Sequence, residues 1–186
     1  MQVLYWLGLS TWFGGALFIG VAAQVIFNTV KENDPTLPRV LSVNLQSQHA
    51  TLLAGSIVGN LIAMLARIEL ACAALLFVTI AAQWFLIDLA NPLSRVSAFV
   101  RSALYLASTG IVVYDWRVLW PRIRDSRQKF IDNADNPEIA NPTLEILDRD
   151  QRESMSLLNV LVFLLLGIVL FSAAMTPPTI TYFSAQ

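Results

Sequence analysis

Charge, histidine and cysteine are all scarce in this chain. Only 13% of its 186 residues are Asp, Glu, Lys or Arg, against roughly 25% in an average soluble domain. A single cysteine, Cys72, excludes an intrachain disulfide. A single histidine, His49, leaves no second imidazole to relay a proton, and no Ser/His/Asp set stands out. There is no HxxxH, no CxxC and no methionine-rich cluster, so the three or four converging ligands of a zinc or copper site are missing. His49 or a methionine offers at most one axial haem ligand, and a lone loop histidine reads as surface. No Walker or Rossmann glycine loop is present. The acidic stretch DNADNPEIANPTLE lacks the glycine and the alternating oxygen spacing of an EF-hand. A net charge of −1 provides no field to recruit nucleic acid. The expectation is a chain with no catalytic set, no metal centre, no resident cofactor and no nucleic-acid partner.

What the sequence has instead is apolar length. Residues 1–30, 70–87, 102–114 and 154–186 carry no charged side chain, and 56% of the chain is hydrophobic. A hydrocarbon core of about 30 Å needs about 20 mainly apolar residues per helix. These stretches predict an all-α integral membrane protein forming one transmembrane domain over residues 1–186. Its four spans fall near 3–27, 68–89, 98–120 and 155–175. The start MQVLYWLGLS lacks the positive n-region of a signal peptide, so the first span is expected to be retained. The third is interrupted by Arg101, Asp115 and Arg117. It reads as a span because Arg101 can snorkel and Trp116 and Trp120 suit an interfacial belt.

Four spans put both termini and the loop at 88–97 on one side. That side holds two basic residues, Arg95 and Arg101, and the other side holds the remaining ten. Lys and Arg accumulate on the cytoplasmic side. The expected location is a bacterial inner membrane, with both termini periplasmic.

Between spans, Pro35 and Pro38 stop the first helix. Residues 50–66 carry a weakly polar stripe of Ser56, Asn60 and Ala63 running on to Arg67. They read as an amphipathic interfacial helix leading into span 2, with a long protruding span 2 as the alternative. Pro121 marks a kink in the extension of span 3. Asn141 and Pro142 form an N-cap and first-turn pair for a helix that continues into span 4. Glu145 and Arg149, and Asp148 and Arg152, are i,i+4 pairs in the favourable order, and Leu144, Leu147, Gln151 and Leu158 share one face. The whole is a four-helix bundle with a cytoplasmic helical hairpin.

The candidate sites are of three kinds. Gly8, Thr11, Gly14, Gly15 and Gly20 on span 1, with Ala71 and Ala74 on span 2, are small residues of the type that lets transmembrane backbones approach. They make either plain helix contacts or a narrow ligand cleft beside the Gly14–Gly15 pair. Gln24, Thr79, Gln83 and Asn159 are intramembrane polar groups that bind a small ligand or, more ordinarily, hydrogen-bond between helices. Arg67, Glu69, Asp115 and Arg117 share one depth, and Asp88 and Arg101 share another. Such charges mark ion paths or structural pairs, and pairing, above all Asp88 with Arg101, is the expected use.

WFGGALF at residues 12–18, AGSIVG at 54–59, WPRIRDSR at 120–127 and SMSLLN at 154–159 together carry a likeness. The chain resembles the four-helix membrane family of unknown function related to the copper-resistance D proteins, which has a small eukaryotic transmembrane branch. The resemblance implies the four-helix fold. The copper-resistance relatives imply metal handling through His or Met in their helices, and this chain lacks those ligands. Where members align with SMSLLN they often carry a His just upstream, and here that stretch reads DRDQRE.

Three functions are compatible with these residues. The leading one is a non-catalytic helical subunit docked on other membrane subunits. The others are a transporter or permeation protein for a metal or small solute, and a binder of quinone, haem or pigment. The topology is directly testable. A reporter active only in the periplasm should give signal when fused at Gln186 and none when fused near Asn136, and the reverse pattern would refute the orientation.

Overall fold

The computed structural model of the chain describes residues 2–33, 49–85, 92–133 and 136–173. All elements among these residues are helical: α1 (Gln2–Asn33), α2 (His49–Trp84), α3 (Pro92–Tyr114), a π turn (Asp115–Leu119), α4 (Trp120–Asp132) and α5 (Pro137–Ala173). Four stretches are long and apolar enough to cross a membrane: Gln2–Val30, Leu53–Trp84, Arg95–Asp132 and Pro137–Ala173. At about 1.5 Å per residue, the 37 residues of α5 rise about 55 Å, well past a hydrocarbon core of about 30 Å.

Each helix buries one stripe and leaves the rest apolar. Tyr5, Leu9, Trp12 and Ala16 recur at helical spacing on α1. They meet Cys72, Ala73, Leu76 and Ile80 of α2, Tyr105 and Val112 of α3, and Leu161, Leu165 and Ile168 of α5. The opposite faces carry Phe18, Val21, Phe77, Val78, Phe99, Leu106, Phe163 and Leu170, all exposed. Only 17% of the apolar window of the first span is buried within the protein. Surface this apolar is not left against water by a soluble chain, and it suits acyl chains.

Contacts run α1 to α2, α1 to α5, α3 to α5 and α2 to α3, with α4 lying on α5. The α4–α5 contact has a core of its own: Leu119, Ile123 and Phe130 against Ala140 and Leu147, with Leu144 at its margin.

Four local features sharpen or change the sequence reading. Residues 49–84 form one uninterrupted helix, so the stretch before span 2 runs straight into it, as both readings of that stretch allow. Its apolar stretch begins at Leu53, with Arg67 and Glu69 inside it. Arg67 faces outward and Glu69 turns inward. Second, a π turn immediately precedes Pro121. The Trp120 N–H donates to the Asp115 carbonyl, five residues back. Proline lacks an N–H and its ring crowds the carbonyl four residues earlier; the wider turn relieves that conflict around Arg117.

Third, α5 starts at Pro137, with Asn136 as its cap. The Asn136 Oδ1 accepts the Glu138 N–H at 3.2 Å, and the Asn136 carbonyl accepts from Ile139 and Ala140. Asn-Pro occurs twice in NPEIANP, and the earlier copy begins the helix, leaving Pro142 within it. Fourth, neither i,i+4 ion pair forms among the described residues. Arg152 Nε donates to the Asp148 backbone carbonyl at 3.2 Å, and Arg149 lies 3.8 Å from Asp150.

Three aromatic contacts tie the helices together. Tyr105 OH donates to the Ala73 carbonyl at 2.8 Å, and Trp12 and Tyr105 meet edge to face at 6.4 Å. At the other end of the core, Ser172 Oγ gives its proton to the Ile168 carbonyl, so Tyr5 OH is the donor in the Tyr5–Ser172 bond of 2.5 Å. Interhelical hydrogen bonds in membranes average about 0.6 kcal/mol. A double-mutant cycle with Tyr5→Phe and Ser172→Ala, read by reversible unfolding in mixed micelles, should give a coupling of about that size. Strict additivity would show that the two residues do not cooperate.

Candidate ligand cavity and intramembrane carboxylates

Gly55 and Gly59 stand one turn apart on α2, a GxxxG pair of the kind that allows close approach. The neighbours here are side chains. A Cβ on Gly59 would meet the Trp120 ring at 3.0 Å, and one on Gly55 would meet the Gln151 amide at 3.1 Å and Arg127 Nη2 at 3.4 Å. Arg127 of α4 reaches over α2 and donates from Nη2 to the Gly55 carbonyl at 2.7 Å, while its Nε, buried, has no hydrogen-bond partner.

Beside these contacts opens a cavity of about 560 Å³ between α1, α2, the α4 end and α5. Phe27, Val58, Ile62, Trp120, Ile123 and Met155 supply its apolar wall. Arg127, Arg152, Gln151 and Asn159 supply donors, and Asp115 and Asp148 supply carboxylates. The volume falls within the range of small-molecule sites, about 300–1,000 Å³, which are mainly apolar with a few placed polar groups.

Behind it lies a second cavity of about 30 Å³. Ile62, Asp115 and Ser154 line both cavities, and Glu69 lines only the inner one. Ser154 Oγ donates to Asp115 Oδ1 at 2.7 Å. Glu69 is only 5% exposed, and its Oε1 has no hydrogen-bond partner. The Trp12 indole faces it, but Trp12 Nε1 forms no hydrogen bond of acceptable geometry.

The expected ion pairs are therefore redrawn. Residues two apart on a helix do not face each other. Arg67 points outward while Glu69 points in, and Arg117 lies over the Trp116 ring at 4.9 Å while Asp115 turns to Ser154. Arg101 is buried and packs its guanidinium over the Tyr5 ring at 5.3 Å. Asp88, its expected partner, lies outside the described residues.

The small residues divide. Gly8 packs against Leu75 and Leu76, and Gly15 against Leu65. Gly14 and Gly20 meet nothing within 4 Å, and Thr11, Ala71 and Ala74 are exposed. Thr11 and Ala71 join Gly8, Arg67 and Cys72 along a groove of about 420 Å³ between α1 and α2. Among the polar candidates, Thr79 is buried but bonds back to the Leu75 and Leu76 carbonyls of its own helix. Gln24 faces outward and Gln83 is half-buried. Asn159 belongs to the large cavity.

Trp120, Arg127, Gln151 and the Gly55–Gly59 pair were not singled out as a site by their sequence. The one available signal was the GxxxG spacing, near the start of the apolar run of α2. Among the described residues, no three His, Cys, Asp or Glu groups come together as a metal site. No protein-family model matches the chain, and neither a curated protein nor a solved structure does.

The glycines make a sharp contrast. Gly59→Ala should force the Trp120 ring to move and destabilise the protein by about 1–3 kcal/mol, the usual cost of overpacking. Gly14→Ala and Gly20→Ala should be neutral or stabilising by up to about 1 kcal/mol, because the added methyl meets nothing and helix propensity improves. Thermal unfolding of the three variants in detergent checks the order.

Proposed function

We propose that this protein is a multi-pass inner-membrane protein that binds a small amphiphile at its cytoplasmic end, as a permeation or carrier protein does. The observation that carries this reading is the cavity of about 560 Å³, with an apolar wall and two arginines, Arg127 and Arg152, at its polar side. A ligand with an apolar body and an anionic or hydrogen-bonding head matches that lining. The guanidinium of Arg127 has an unused N–H for the head, and the Trp120 ring flanks the body. In this reading the four spans form a bundle, α4 and the start of α5 form a cytoplasmic hairpin, and the termini are periplasmic. The ten-to-two distribution of basic residues supports that orientation.

A brominated fatty acid is a suitable probe, because bromine quenches nearby indole fluorescence. It should quench saturably, and the saturable part should vanish in Trp120→Phe and weaken at least about tenfold in Arg127→Ala, the loss of one charge-assisted contact of about 1.5–3 kcal/mol. Quenching that is the same in wild type and Trp120→Phe would sink the reading, since it would come from annular lipid alone.

A second reading, a packing subunit of a larger membrane complex, is favoured by a different observation. Gly14, Gly20, Ala71 and Ala74 present small faces that no described helix packs against. Transmembrane partners select such faces. Gly14→Leu would then release a co-purifying membrane subunit without altering the cavity.

A further inference from the structure

Glu69 and Asp115 line one small cavity from different helical segments, and among the described residues no basic side chain lines it with them. The described elements packed around them bring no compensating cation, and α3 brings only Ile111 and Val112. From α1 comes the Trp12 indole, and from α2 Cys72, one turn along from Glu69. From α5 comes Ser154, a hydroxyl donor to Asp115. Arg67 is exposed, Arg117 is engaged over Trp116, and Arg127 and Arg152 line only the larger cavity, which Asp115 also touches. Tyr114 and Glu153 bond to each other on the outside.

Two carboxylates in one enclosed site repel each other, and burial without a partner penalises the charge further. A proton resolves both problems. A protonated carboxyl is a donor as well as an acceptor, so it can bond to the other carboxylate directly or through water. Glu69 Oε1, buried and unpartnered, has no other hydrogen-bonding use. The cavity of about 30 Å³ is large enough to hold a water molecule, which needs about 10–15 Å³ of such space.

We propose that Glu69 and Asp115 form a proton-binding site within the membrane, holding one exchangeable proton between them and loading it from the larger cavity through Asp115 and Ser154. In the loading step a hydronium ion in the larger cavity transfers its proton to a carboxylate oxygen. An O–H bond forms on the carboxyl, one O–H bond of hydronium breaks, and neutral water is left. Unloading is the reverse. The site does not depend on what occupies the larger cavity, so failure of the amphiphile reading would leave it standing.

The test uses the wild-type protein in proteoliposomes and the reagent dicyclohexylcarbodiimide, which adds to protonated carboxyls in apolar surroundings. Peptide mass mapping should find the adduct at Glu69 or Asp115 and not both on one molecule. Its yield should fall about tenfold for each pH unit above its midpoint, as the population of any single protonated group does, and sodium at constant pH should not protect. An infrared carbonyl band of a protonated carboxyl should titrate over the same range and be absent in Glu69→Gln. Sodium protection would overturn the proposal in favour of a metal-cation site. So would the lack of any adduct at either carboxyl together with the lack of a titrating infrared band that depends on Glu69.

Discussion

Lipid tails are as apolar as leucine, so the helices of this protein gain little by hiding leucine from their surroundings. Their association depends on close fit and on the few polar contacts they make with each other. The fold follows from this constraint. Trp12 is fully buried on the inner stripe of α1, while Gly8 and Gly15, flanking it in sequence, seat the Leu75 and Leu65 side chains of α2. The Trp12 indole turns its edge to Tyr105, whose hydroxyl reaches the α2 backbone at Ala73. Three spans are thereby joined around one large side chain. Tyr5, Ser172 and Arg101 do the same at the other end, through one hydrogen bond and one cation–π contact.

The same economy of space creates the cavities. Gly55 and Gly59 leave room on α2, and the long side chains of Trp120, Arg127 and Gln151 fill only part of it. What remains is the cavity of about 560 Å³ at the end that carries Arg127 and Arg152. The π turn at Asp115–Leu119 contributes as well. A helix of ordinary pitch would hold residues 115 and 117 in the usual i,i+2 relation next to an obstructing Pro121. The widened turn lets Pro121 be accommodated with Asp115 bonded to Ser154 and Arg117 stacked outside on Trp116. A carboxylate thus ends up at the wall shared by both cavities, with Glu69 behind it.

The polar residues show where local reading succeeds and where it stops. Glu69, Asp115 and Asn159 were recognisable as unusual, because charged and amide groups are costly in an apolar stretch. Their partners were not recognisable. Arg67 and Arg117 are the nearest charges in sequence, yet both point away from the carboxylates two residues along, as the helical period of 3.6 requires. Thr79 sits on the expected stripe but satisfies itself on its own helix, the cheapest option for a hydroxyl in lipid. Asn136 and Asn141 carry the same Asn-Pro signature. The structure distinguishes them: Asn136 takes the cap, accepting from Glu138, Ile139 and Ala140, and Ala140 is already packed in the α4–α5 core.

Taken alone, the amino-acid order determined that the chain is helical and that four segments are apolar enough to cross a membrane. Those properties depend on local hydropathy and length, which are sums over neighbouring residues. It also determined which residues are small and which are charged. The tertiary structure alone decided which of them face each other. Gly8 and Gly15 look inward while Gly14 and Gly20 look out; Gly55 and Gly59 became the floor of a cavity; and Glu69 and Asp115, 46 positions apart in sequence, came to line the same small void. Helix rotation and register depend on the whole set of interhelical contacts at once, and in lipid no gradient of hydrophobicity marks the inner face in advance.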